Sequence, residues 1–137
     1  MLDRDQRRIW RERWLASLTE ISALEYQRRT WGQTSNPHDG YVEYAECYFT
    51  DLLRGGSYET PIAEGFLSFE EAFVVAEFHL KFDQYKPVDP YAFGQIIADP
   101  AWIEVTEAAR RARQALLKLV TDSEERNILL HAEPAPA

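Results

Sequence analysis

The stretch DPAWIEVTEAARRARQALLKL, residues 99–119, decides the fold. Trp102, Val105, Ala109, Ala112, Leu116 and Leu119 recur at alternating steps of three and four, which winds them into one stripe of an α-helix. A strand would need alternation in twos, and nothing here alternates. Asp99-Pro100 reads as a helix start, the aspartate capping free amides while proline takes the first helical position without a lost hydrogen bond. Arg110, Arg111 and Arg113 fall beside the stripe.

The same period runs through most of the chain. Over Asp3–Ile21, Trp10, Trp14, Leu18 and Ile21 lie on one face, with the arginines mostly around it. Ser22-Ala23-Leu24-Glu25 matches a capping box, predicting a short second helix to Trp31 with Gly32 as its stop. Residues 32–40, GQTSNPHDG, form a loop by composition. A helix is predicted from Tyr41 to Leu53, closed by Gly55 and Gly56. It carries Tyr41, Tyr44, Tyr48 and Leu52 on one face and Val42, Ala45, Phe49 and Leu53 on the next, leaving Glu43, Glu46 and Cys47 on the remaining arc. A second capping box, Ser68-Phe69-Glu70-Glu71, opens a helix to about Gln84 with Phe69, Phe73, Ala76 and Leu80 as its apolar stripe. Asp89-Pro90 starts a turn or short helix across Tyr91–Ile97, and the tail AEPAPA, residues 132–137, has a disordered composition. The expected fold is all-α: one helical domain over residues 1–131, with four longer helices and two or three short ones around an aromatic core.

Length and composition suit that fold. At 137 residues the chain can bury about two thirds of its unfolded surface without a metal or disulfide staple. Its single cysteine, Cys47, excludes an internal disulfide and a multi-thiolate zinc site. The opening MLDRDQRRIWRERW has no apolar core of a secretory signal, and no run reaches the ~18 apolar residues of a membrane span, so a cytoplasmic, membrane-free protein is expected. Residues 32–104 hold thirteen acids against three basic residues, so almost all of the net charge of −8 lies in the middle of the chain. Such a field repels nucleic acid and steers basic partners inward.

Familiar chemistry is missing from the pattern. Two Glu-x-x-His motifs would mark a di-iron bundle, and none occurs; no metal and no cofactor is expected. His79 and Asp83 sit one turn apart and read as a local pair. Cys47 lies beside Glu46, whose charge disfavours a thiolate, and no nucleophile elbow or phosphate loop is present, so the balance leans away from an enzyme. The arginines of the first helix are interspersed with Asp3, Asp5 and Glu12, unlike a nucleic-acid-binding face; they read instead as partners for the acidic middle.

What remains is surface. Tyrosine gives large contact area at low entropy cost, and neighbouring carboxylates pair with basic groups of a partner. Tyr41, Tyr44 and Tyr48 are expected to pack inward, and Glu43, Glu46, Asp51, Tyr58, Glu59 and Glu64 to form the gripped face. The alternative is an anionic-ligand pocket, or a small enzyme, around the 32–40 loop, built from Arg28, Arg29, His38 and Tyr41. Within that segment Gln27, Arg28 and His38 are also candidates for a buried polar lock.

LEYQRRTWGQTSNPHDGYVEY, residues 24–44, resembles a segment of small bacterial proteins that carry E-Y-Q-R-R-x-W followed by P-H-x-G-Y. The whole chain is loosely similar to immunity proteins of bacterial toxin systems: small, acidic, aromatic-rich and without a catalytic motif. That resemblance implies binding and neutralisation of a cognate toxin domain, and the acidic middle of the chain suits a basic one. A monomer or a homodimer is expected, and a further reading is a homodimeric scaffold in which Trp or Phe residues on outer faces bury against a copy.

Overall fold

The computed structural model describes residues 3–31 and 40–131. It is an all-α fold with no strand among the described residues. In chain order the elements are α1 (Arg4–Ile21), α2 (Leu24–Thr30), α3 (Tyr41–Ala45) running into a π-helical segment (Glu46–Leu52), α4 (Glu59–Ala63), α5 (Phe69–Val74), α6 (Ala76–Gln84), α7 (Phe93–Ile96), α8 (Pro100–Leu119) and α9 (Ser123–Leu130).

Helix α8 is the central element, packing against α1, α5, α6 and α9. Its start is as predicted: the Asp99 carboxylate accepts from the Ala101 amide at 2.9 Å and Pro100 opens the helix. Trp102, Val105, Ala109, Ala112 and Leu116 are all buried. Trp102 is an aromatic hub, 5.5–5.8 Å between ring centroids from Trp31, Tyr41, Phe82 and Tyr85. Such pairs add about 0.5–1.5 kcal/mol each beyond the area they bury.

Several local expectations are corrected. Ser22 does not cap α2: it ends α1, its amide bonded to Leu18 O at 3.1 Å and its hydroxyl donating to Thr19 O at 2.6 Å. With only two residues between the helices, Ser22 is already committed to the first of them. The helix expected over 41–53 is present but turns π-helical at Glu46. The helix expected over 68–84 begins with a complete capping box at Ser68 and Glu71, yet it breaks at Val75. Its predicted stripe is also on the wrong side. Phe69 and Phe73 are each 74% exposed and Leu80 is exposed as well, while Val75, Phe78 and Phe82 enter the core. Helix α9 was not anticipated; Asp122 caps it by accepting from the Glu125 amide at 3.0 Å.

Candidate functional site

The groove between α1 and the chain that follows the π segment is built on a fixed aromatic floor. Trp10 stacks on Phe66 at 5.0 Å and 8° and on Trp14 at 5.6 Å, and its indole N–H donates to Leu52 O at 3.1 Å. Ile9, Ala63 and Phe66 complete the apolar lining, and Asp51, Glu64, Arg13 and Arg54 form the rim of a groove of about 740 Å³. Arg13 and Asp51 approach only to 3.7 Å, and both are more than half exposed.

Two buried polar systems hold that floor. In the first, the Arg11 guanidinium uses all five N–H donors. It binds both oxygens of Glu71 (2.9 and 2.7 Å), both oxygens of Glu125 (2.9 Å each) and Phe66 O (3.0 Å). Burial opposes the charge on Arg11, but the hydrogen bonds to the two carboxylates outweigh it and hold its pKa above the ordinary value. Burial likewise pushes Glu71 up, and the bonds from Arg11 and the Ser68 amide overcome that, leaving its carboxyl below the usual range. This cluster ties α1 to α5, α9 and the backbone carrying Phe66.

In the second, the Trp14 N–H donates to the Tyr58 hydroxyl at 2.9 Å, the Tyr58 and Tyr48 hydroxyls lie 2.6 Å apart, and Tyr48 meets His79 Nδ1 at 2.9 Å. Because Trp14 can only donate, the arrangement that uses every proton runs one way: Trp14 to Tyr58 to Tyr48 to His79. It assigns His79 the neutral tautomer with its proton on Nε2. Burial pushes the tyrosines up, Tyr58 to about 12, and pushes His79 below its ordinary value against the opposing charge of Asp83. The expected His79–Asp83 pairing is therefore a through-space effect, and the hydrogen bond of the imidazole goes inward instead.

The predicted partner-binding residues divide. Glu43, Glu46, Glu59 and Glu64 are exposed and make no ion pair among the described residues. Glu46 and Asp51 share a side because a π-helix bonds residues five apart. Asp51 and Glu64 both line the groove. Tyr58 does not belong with them: it is buried, its hydroxyl enclosed by Trp14 and Tyr48.

Among the described residues, the predicted ligand-binding residues do not converge. Tyr41 is buried with its hydroxyl donating to Tyr85 O at 3.4 Å, Arg28 pairs with Glu25 on the exposed side of α2, and Arg29 is exposed in the last turn of α2. His38 lies outside the described residues. Gln27 is a lock, but with other partners: its amide donates to Glu20 O and Ile21 O at 3.0 Å each and accepts from the Trp102 N–H at 2.8 Å. Tyr41, Tyr44 and Tyr48 are buried. Cys47 is half-buried against α1, where burial pushes the thiol up and the positive charge of Arg13 opposes it. Among the described residues no three His, Cys, Asp or Glu side chains converge on a metal-binding arrangement, and no helix is long and apolar enough to cross a membrane.

The aromatic floor was the part that sequence reading missed. The sequence puts Trp10 on a core stripe, and only the stacking on Phe66 shows it as the base of a groove. Comparison with family models, with curated proteins and with solved structures finds no match for this chain.

Proposed function

We propose that this chain is a protein-binding domain of the immunity-protein kind, occluding a basic partner through the α1–π groove and the carboxylates that extend from it. The observation that carries this reading is the rigid aromatic floor of Trp10 and Phe66 beside Glu64, which like Glu43, Glu46 and Glu59 is exposed and makes no ion pair among the described residues. Interfaces concentrate energy in a desolvated aromatic centre, and rim charges set the rate and specificity of encounter. An unpaired surface carboxylate contributes little to folding, whereas opposite a Lys or Arg of a partner it steers association. The neighbouring Arg13 and Arg54 give the rim the mixed charge of a surface that selects one partner over others.

The test is affinity capture from native lysate at moderate and high salt, followed by association kinetics with the captured protein. Glu43→Lys and Glu46→Lys should slow association roughly tenfold or more at low salt, with stability unchanged to within about 0.5 kcal/mol. Ile9→Asp should mainly speed dissociation. Unchanged kinetics in all three variants would remove this face from the interaction.

A further inference from the structure

A second face of the molecule has a different chemistry. Phe69 and Phe73 stand one turn apart on α5, each 74% exposed, and with Val74 and Leu119 they surround a shallow apolar groove of about 350 Å³. The fold does not use them: α5 is held by the buried Glu71 and the partly buried Ala72, and the core below takes Val75 and Phe78. Large apolar groups grouped in this way mark a contact surface.

Through Glu70 and Leu119 the apolar groove opens into a polar one of about 570 Å³. Outside the buried Arg11 cluster, that groove carries three arginines, Arg4, Arg7 and Arg8, and three carboxylates, Glu70, Asp122 and Glu124. Arg4, Glu70 and Glu124 make no ion pair among the described residues, and Arg8 has only 3.9 Å contacts to Asp5 and Glu12. In a chain of net charge −8 this region is locally balanced.

We infer that this face is where two copies of the chain meet, α5 against α5 about a two-fold axis. A two-fold interface places one patch against itself, so the patch must be self-complementary. An acidic face cannot meet its own copy without repulsion. Here arginines and carboxylates lie side by side, so each sign can meet its opposite across the axis while the phenylalanines close the centre. The α1–π groove stays free on each copy, so the dimer presents two binding faces.

Sedimentation equilibrium over a concentration series tests the inference, with the full chain throughout. The wild type should approach twice its 15.9 kDa mass as concentration rises. Phe69→Asp/Phe73→Asp should remain at the monomer mass, and Ile9→Asp, altered in the other groove, should still dimerise. Amide hydrogen exchange of the wild type gives a readout free of mutation: α5 should lose protection on dilution. A chain that stays monomeric to about 1 mM, the weak end of specific association, overturns the inference. So does a dimer that survives the double substitution, or one whose α5 protection does not change with concentration.

Discussion

Arg11 shows how a single side chain organises three helices. Two buried carboxylates answer one guanidinium, so removing the cation leaves like charges facing one another in a poor solvent for either. Arg11→Leu should cost about 3–5 kcal/mol in urea unfolding. The triple replacement of Arg11, Glu71 and Glu125 by apolar residues of similar size should lie much closer to the wild type, because no unpaired charge remains. Half of this cluster was legible in the sequence. Ser68-x-x-Glu71 announced a capping carboxylate, and the expectation that arginines of the first helix pair with the acidic middle holds for Arg11 and for Arg13. Nothing distinguished Arg11 from its neighbours, because its partners are 60 and 114 residues away. Gln27 teaches the same lesson: the sequence offers it, with Arg28 and His38, as a lock onto the 32–40 loop, but the indole it holds is 75 residues downstream.

Among the elements, α5 and α6 mark where periodicity fails to decide. The stretch from Phe69 to Gln84 contains two apolar stripes, Phe69/Phe73/Leu80 and Val75/Phe78/Phe82, and either could face inward. The choice is made by Glu71, drawn to Arg11, and by the break at Val75, and neither is local information. The π segment was equally hidden, since one extra residue per turn leaves no compositional trace. Its effect is visible in the Leu53 amide, which bonds to Tyr48 O at 3.2 Å, five residues back. The junction before α3 makes a sharper prediction. A Cβ at Gly40 would lie 2.7 Å from Phe93 Cζ, and that ring is braced edge-on against Trp31 at 6.0 Å. Gly40→Ala should therefore destabilise by about 1–3 kcal/mol through overcrowding, seen as a lower thermal midpoint. The backbone there is extended, so strain in φ plays no part.

For the molecule as a whole, two buried systems make stability fall toward acid. His79 binds its proton less readily in the fold than at its ordinary 6.5, so the unfolded chain gains protons first, and stability declines as pH drops below about 6.5 until the folded imidazole also charges. Glu71 is held below its ordinary 4.5, so its contribution is complete above that pH and is lost as pH falls through the folded value. Urea midpoints from pH 8 to 3 should show both declines, and imidazole NMR should place His79 below 6.5; a value at or above 6.5 would contradict the one-way hydrogen-bond chain. The all-α class and the Trp102 stripe are legible in the sequence, because period and caps are written locally. Which acids share a groove could not, because that follows from how the π segment docks on α1. The same docking has an optical consequence. All four tryptophans fall into two close couples, Trp10 with Trp14 and Trp31 with Trp102, one in the seam beside α1 and the other where α2 meets α8. Indoles at such spacing share their excited states, so the near-ultraviolet dichroism of the native protein carries two separate reporters. Heating that erases both together would identify one cooperative unit, whereas staggered loss would show which seam opens first.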